Sequence, residues 1–228
     1  MRKFICFAVL LLFGTMLSTA QVQKPKAQAK DKLEVFAGYT LSRSYGDPNV
    51  YNVSTSGDEF AAFNLNGGQA AVSYFPARNF GITYEMTFLS TGSRASSVAG
   101  VTETTNTQDY LVGPTFRYAL KNDRLKGVTL FAHQLFGASR ESFNFALVSD
   151  SDVGCKSQGA SCSGNAFTMA TGAGLDVKIG SHLSLRPAQL EYWTRQTSAN
   201  VIAGGDWNES LKWGADGFRY SGGAVIRF

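Results

Sequence analysis

The sequence has little charge and few long apolar runs, and each shortage excludes a class of protein. Charged residues make up 17% of the 228 residues, below the roughly 25% that is usual for soluble domains. An intrinsically disordered chain would carry more charge and fewer aromatic residues than the 13% found here. Only one apolar run approaches the length of a transmembrane helix. A protein with several membrane-spanning helices is therefore excluded.

That apolar run lies at the N-terminus and has the parts of a secretory signal peptide. Arg2 and Lys3 form a positive start, Phe4–Phe13 forms a short apolar core, and small residues permit cleavage before Gln21. We predict that residues 1–20 are a cleaved signal peptide. The alternative is a retained N-terminal anchor.

The segment that follows is polar and basic, and residues 21–32 are predicted to form a flexible periplasmic tail. Cleavage at residue 20 removes two of the 21 basic residues and none of the 17 acidic ones, so the net charge falls from +4 to +2. Such a small charge is weak evidence for nucleic-acid binding, and no nucleic-acid partner is expected.

Only two cysteines remain after cleavage, Cys155 and Cys162, in a stretch rich in glycine and serine. Export to an oxidising compartment predicts a disulfide between them. A metal site would need further ligands nearby, and His133 and His182 are distant in sequence. We expect neither a metal site nor a cofactor.

From residue 33 onwards, apolar residues recur at every second position, which is the period of a β-strand. In Phe80–Phe88, for example, bulky apolar residues alternate with glycine, threonine and glutamate. Similar alternation predicts strands around residues 34–41, 69–74, 109–118, 167–179 and 218–228. A further stretch, Val128–Ala138, is apolar on both parities, so its facing is undecided. No stretch of comparable length has a helical period.

The seventh candidate strand along the chain, Leu183–Gln196, changes parity near its proline. A β-bulge at Pro187–Ala188 would return the apolar residues to a single face, because proline has no N–H to donate to a β-ladder. Two separate short strands are the alternative.

The predicted connections alternate between short and long. Short ones fall at residues 76–79, 121–126 and 180–182, and long ones at residues 44–65, 90–107, 139–164 and 197–214. Transmembrane β-barrels have short periplasmic turns and long extracellular loops. The polar face of the strands carries Glu, Arg and Asp, which is too polar for the dry interior of a soluble sandwich. We therefore predict an all-β, eight-stranded, antiparallel up-and-down transmembrane β-barrel that turns its apolar face to lipid.

Chain length limits the number of strands. Eight strands leave about 26 residues for each strand and its connection, whereas sixteen would leave about half of that, too few for these loops. An eight-stranded barrel is filled by its own side chains, so an open diffusion pore is not expected.

Four segments resemble one known family, the small eight-stranded outer-membrane barrels of Gram-negative envelopes, including the OmpA-like barrels. They are EVFAGYTLSR (34–43), YLVGPTFRY (110–118), LFAHQLFGA (130–138) and FRYSGGAVIRF (218–228). The resemblance covers residues 33–228 and implies an outer-membrane location. It does not imply cell-wall tethering, because the given sequence shows no peptidoglycan-binding domain.

The resemblance also implies a topology and an assembly signal. Both chain ends lie in the periplasm, and the barrel-assembly machinery reads the last strand through Tyr220, Ala224, Ile226 and Phe228. Aromatic residues near strand ends then fall into interfacial girdles: Phe80, Phe116, Tyr118 and Phe228 on the periplasmic side, and Phe88, Tyr110, Tyr192 and Phe218 on the outer side.

Charges that point into a narrow barrel must be paired, because a lone buried charge is costly. Similar depth along the strands predicts the pairs Asp176–Arg186 and Glu191–Arg219. Three more side chains are expected to join them: Glu85, Arg117 and Lys178. The network is predicted to be a static filling of the lumen, the alternative being a gated plug that rearranges to conduct.

The sequence favours a structural protein that presents long surface loops, through which it would bind an extracellular ligand. A narrow channel and a lipid-modifying enzyme are alternatives, and a soluble barrel of lipocalin type is the alternative fold. His182 and Ser184 have the His-x-Ser spacing of lipid A deacylases, but they fall in a periplasmic turn, so no catalysis is expected. Expected partners are outer-membrane lipids and lipopolysaccharide, and the barrel is expected to be a monomer.

Overall fold

The computed structural model describes residues 32–46, 63–95, 101–120, 125, 127–147, 163–203 and 207–228. Eight long strands account for most of them: β1 (Leu33–Gly46), β2 (Phe63–Tyr74), β3 (Phe80–Ser90), β4 (Val101–Ala119), β5 (Val128–Leu147), β6 (Ser163–Lys178), β7 (Leu183–Ala203) and β8 (Trp207–Arg227). A two-residue arm, Arg94–Ala95, pairs with the beginning of β4. The predicted signal peptide, the predicted tail up to residue 31, and Cys155 and Cys162 lie outside the described residues.

Every long strand pairs antiparallel with its neighbour in sequence, and β1 also pairs with β8. The β1–β8 ladder runs from Glu34 opposite Arg227 to Gly46 opposite Ala215. The sheet therefore closes into a barrel whose main strands have no free edge, and the predicted eight-stranded antiparallel barrel is confirmed. Among the described residues, no helix is long and apolar enough to span a bilayer.

The two faces of the strands are inverted relative to a soluble protein. On β1, the Tyr39 side chain is 57% exposed while that of the next residue, Thr40, is fully buried. The buried residues include many charged ones, such as Glu85 and Arg219, and the exposed ones include long rows of Tyr, Phe, Leu and Ile. A soluble barrel of lipocalin type would bury its apolar side chains instead. The structure therefore bears out the predicted facing.

Strand β5, whose facing the sequence left undecided, points Phe131, His133 and Leu135 into the barrel and Leu130 and Phe136 outwards. The apolar residues on both parities have a simple cause. Leu135 packs inside the barrel in a small apolar cluster, which also includes Leu111, Ala170 and Trp193. The lumen thus needs some apolar side chains as well as charges.

The predicted β-bulge on β7 is confirmed. Arg186 lies opposite Gly223 of β8, but the next paired residue, Gln189, lies opposite Ser221. Pro187 and Ala188 therefore face a single residue of β8. This extra residue turns both Arg186 and Gln189 into the lumen.

The strands that border the predicted long connections are longer than the sequence predicted. The β7–β8 ladder continues to Ala203 opposite Trp207, so the predicted long loop over residues 197–214 is wrong. The β4–β5 ladder likewise continues to Val101 opposite Leu147. Beyond the apolar band neither face needs to be apolar, so the period-two signal disappears while backbone hydrogen bonding still holds the strands together.

The aromatic residues that were predicted to form girdles are exposed on the outer surface. Three pairs across neighbouring strands are in ring contact: Phe80 with Phe116 at 5.1 Å between centroids, Phe88 with Tyr110 at 6.1 Å, and Tyr192 with Phe218 at 5.3 Å. Below, the barrel end that carries residues 75–79 and 179–182 is called the short-turn end, and the opposite end is called the loop end.

Candidate functional site

The interior of the barrel is the most unusual chemical environment in the protein. Charged and titratable side chains from seven of the eight strands, all except β2, point into it and are buried or nearly buried. Together they form what we call the lumen network: the carboxylates of Glu34, Glu85, Asp109, Glu141, Asp176 and Glu191, the guanidiniums of Arg117, Arg186, Arg195, Arg219 and Arg227, and the imidazole of His133. Burial of so many charges is tolerable only if each is paired.

Near the short-turn end, two carboxylates hold three arginines. Asp176 accepts hydrogen bonds from Arg186 Nε at 2.7 Å and from Arg227 NH2 at 2.8 Å. Glu34 Oε1 accepts one from Arg227 Nε at 2.9 Å and another from Arg117. These five residues form the short-turn cluster, which joins β1, β4, β6, β7 and β8 across the bore.

The guanidinium of Arg186 also lies between two aromatic rings. Its Cζ atom is 4.4 Å from the ring centroid of Phe36 and 4.0 Å from that of Phe131. Cation–π contacts of this kind are favourable when they are desolvated. They explain why Phe36, an apolar residue on the polar face of β1, points into the lumen.

Halfway along the barrel, His133 and Arg219 contact two glutamates. His133 Nε2 is 2.8 Å from Glu191 Oε1, and Arg219 Nε is 3.4 Å from Glu191 Oε2. Arg219 NH1 lies 3.9 Å from Glu85 Oε1. Glu85, His133, Glu191 and Arg219 are called the middle cluster.

Towards the loop end, Asp109 is the centre of a third group. It accepts hydrogen bonds from Arg195 NH2 at 2.8 Å, from Arg219 NH1 at 3.1 Å and from the hydroxyl of Ser139. Arg195 in turn binds Glu141. Arg219 therefore bridges the middle cluster and this loop-end cluster.

The structure brings both predicted ion pairs together, Asp176 with Arg186 and Glu191 with Arg219. Glu85 lies beside Arg219, while Arg117 pairs with Glu34, which the sequence analysis did not select.

The prediction that Lys178 joins the lumen network is wrong, because its side chain is exposed. It has the inward parity of Asp176 but lies at the last position of β6, where a long lysine side chain extends its ammonium group into water.

Sequence reasoning missed half of the lumen network. The residues it did not select are Glu34, Asp109, Glu141, Arg195, Arg227 and His133. Strand parity was the available signal, since it puts Asp109 and Arg227 on the polar face. Which partner each charge meets depends on the stagger of the strands around the barrel, and parity does not contain that information.

The short-turn half of the lumen contains a small cavity among the described residues. It lies between Glu34 and His133 and has room for about one water molecule. Ion pairs join non-adjacent strands in the short-turn cluster (Arg227 with Asp176), the middle cluster (Arg219 with Glu85) and the loop-end cluster (Arg195 with Asp109).

The pair with the His-x-Ser spacing is engaged in structural contacts at the short-turn end. His182 Nδ1 is 2.9 Å from the carbonyl oxygen of Arg227, and the Ser184 hydroxyl accepts a hydrogen bond from Arg227 NH1 at 3.0 Å. Both side chains therefore help to position Arg227.

The four residues predicted as an assembly signal share the outward face of the barrel at β8 and its C-terminal end. Tyr220, Ala224, Ile226 and Phe228 are all exposed there. The backbone of Phe228 bonds to that of Leu33, which continues the β1–β8 pairing at the short-turn end.

One group of side chains in the lumen has the donor atoms of a metal site. One ligand atom each of Glu85, His133 and Glu191 lies within 4.8 Å of the others, and all three residues are buried. Sequence reasoning did not find this group, because its members come from three different strands about 50 residues apart along the chain.

Among solved structures, the barrel is similar to the attachment invasion locus protein Ail of Yersinia pestis in complex with the heparin analogue sucrose octasulfate. The identity is 19%, the alignment covers 87% of this chain and 99% of that chain, and the TM-score is 0.50. Neisserial surface protein A shares 10% identity over 90% of this chain and 100% of its own, with a TM-score of 0.48. The outer membrane protein OprG of Pseudomonas aeruginosa shares 12% over 87% and 96%, with a TM-score of 0.47.

No protein-family model matches the sequence, and no curated protein sequence matches it either. The strand order, the closed pairing and the inverted faces rest on the structure itself. The chain has the fold of the small eight-stranded outer-membrane barrels.

Proposed function

We propose that this protein is an integral outer-membrane barrel that anchors surface loops and does not conduct solutes. The observation that carries the proposal is the lumen network, whose ion pairs join non-adjacent strands at three levels of the bore. The exposed rows of apolar and aromatic residues, such as Tyr39 and Leu41, suit contact with acyl chains and headgroups. A barrel with a charged, filled interior and a greasy exterior is a membrane anchor rather than a solute pathway.

The orientation follows from where the described chain ends lie. Lys32 N donates a hydrogen bond to the carbonyl oxygen of Phe228 at 2.8 Å, so both ends meet at the short-turn end. With that end in the periplasm, the opposite end of the barrel, where the β7–β8 ladder reaches Ala203 opposite Trp207, faces the outside. Loops on a rigid scaffold are common sites of recognition, and we propose that an extracellular ligand binds there.

The remaining partners follow from the surface of the barrel. Outer-membrane lipids and lipopolysaccharide surround the aromatic girdles, and the outward row of β8 is the element that the barrel-assembly machinery would contact. The closed sheet has no unpaired edge between its main strands, so a monomer satisfies its own backbone. A catalytic role is not proposed, because His182 and Ser184 both contact Arg227.

The proposal predicts that the purified barrel gives no large, steady conductance in a planar lipid bilayer. Ion pairs join non-adjacent strands at three levels of the described bore, so a hydrated ion would have to break them in order to pass. The folded state is verified by heat-modifiable migration on a gel, and a general porin reconstituted in parallel is the positive control. Steps of open-pore size that persist at constant voltage would exclude the anchoring role and favour the channel.

A further inference from the structure

The inference concerns the three buried donor groups in the middle cluster. His133 and Glu191 both lie opposite Gly172 in the strand register, one on each side of β6. A Cβ atom at position 172 would be 2.6 Å from Glu191 Cγ and 2.6 Å from His133 Nε2. The glycine therefore lets the two side chains approach each other, and Glu85 reaches them from β3.

The bonding of Glu191 leaves one of its oxygen atoms available. Its Oε1 lies 2.8 Å from His133 Nε2, but its Oε2 is buried and has no hydrogen-bond partner. The guanidinium of Arg219 is 3.4 Å from that oxygen, in ion-pair range but without hydrogen-bonding geometry. A buried carboxylate oxygen without a hydrogen bond is costly, so this atom requires an explanation.

The hydrogen bonds of Arg219 go to residues other than the two glutamates, while its Nε and NH2 groups are buried without a hydrogen-bond partner. Its NH1 group donates to Thr87 at 3.0 Å and to Asp109 at 3.1 Å. It can therefore keep these bonds while another cation binds Glu191 and Glu85. The described lumen network also has one more carboxylate than it has guanidiniums, which favours an additional positive charge here.

We propose that Glu85, His133 and Glu191 form a binding site for one divalent transition-metal ion, of which Zn²⁺ is the best representative. One imidazole and two carboxylates are ligands that Zn²⁺ accepts, at about 2.0–2.2 Å. The ligand atoms lie up to 4.8 Å apart, so they move closer together when the ion binds. The small cavity, which Glu85 and His133 help to line, supplies space for a water molecule as the fourth ligand. The site would clamp β3, β5 and β7 together.

The proposal is tested with untagged protein, refolded in detergent and freed of metal by a chelator. Zn²⁺ is titrated in competition with a chromophoric chelator, and we expect one saturable site per barrel. His133→Gln and Glu191→Gln should each weaken binding at least about 100-fold, because loss of an outer-shell partner alone typically costs about 10–100-fold. His182→Gln is the matched control, since His182 is the only other histidine, and it should bind like the unaltered protein.

Folding of each variant is checked by heat-modifiable migration. If the lumen variants do not fold, NMR of the unaltered protein gives the answer, because Zn²⁺ should shift the imidazole signals of His133 and leave those of His182 in place. Binding should also weaken as the pH falls, since protons compete for the ligands. The proposal is wrong if no saturable binding occurs, if His133→Gln binds as tightly as the unaltered chain, or if only the His182 signals respond.

Discussion

Arg219→Met should destabilise the folded barrel by about 3–5 kcal/mol, because it leaves buried carboxylates without their cation. Arg219 is 1% exposed and lies within ion-pair distance of Glu85, Asp109 and Glu191. Methionine fills a similar volume but provides no charge and no N–H donor. The change should be measured as the free energy of unfolding in urea, with the protein in detergent micelles or phospholipid vesicles.

Two further variants test whether the destabilisation comes from the unpaired carboxylates or from the replacement of arginine by methionine itself. Arg43→Met removes an arginine that is exposed on the outer surface near Tyr45, and it should change the free energy of unfolding by less than about 0.5 kcal/mol. Adding Glu191→Gln to Arg219→Met should recover part of the loss, because removing both partners is less costly than leaving one charge alone. Equal stability of Arg43→Met and Arg219→Met would contradict a charge-held lumen.

The sequence was sufficient to predict the fold because two independent patterns agreed. Strand parity predicted that Tyr39 and Leu41 face the opposite side of the sheet from Thr40. The alternation of short and long connections argued against a soluble sandwich. The change of parity at Pro187 even located the bulge. Each of these features is local, and a local pattern is what a single sequence shows most clearly.

A contact within the lumen could be predicted only where two inward-facing charged residues lie at the same depth on neighbouring strands. Asp176 and Arg186 lie on neighbouring strands at the same depth, and the structure pairs them. Arg117 meets Glu34 of β1 although it belongs to β4, and that contact depends on how the closed barrel brings non-adjacent strands together. The middle cluster has the same origin. A metal site built from three distant strands has no spacing that can be read along the chain.

The prediction of where the strands end failed for a different reason. Above the apolar band, the backbone ladder of β7 and β8 continues with Thr197 opposite Trp213. A strand in this region needs no difference in polarity between its two faces. Backbone pairing persists there without a pattern in the side chains. The predicted loop over residues 197–214 was therefore too long. The alternation of short and long connections fails there, because only residues 204–206 join β7 to β8.

A charged residue placed on the outward-facing surface should also destabilise the barrel strongly. Val112→Arg should cost about 2–4 kcal/mol of unfolding free energy in phospholipid vesicles, because an arginine near the middle of the hydrocarbon layer loses its hydration. Val112 is 50% exposed on the outside of β4 and lies opposite Tyr84 and Phe136 in the register. The charged residues of the lumen network lie on the inner face of the barrel. The wall of strands therefore separates them from the new arginine.

The matched control is Thr104→Arg, on the same face of the same strand but eight residues closer to the loop end. Near the edge of the apolar band an arginine costs only about 0–1 kcal/mol. The difference between the two variants therefore measures depth in the bilayer and is independent of the effect of arginine on the strand itself. If both variants cost the same, the outer face of β4 would not be surrounded by acyl chains, and the exposed aromatic rows would need another partner.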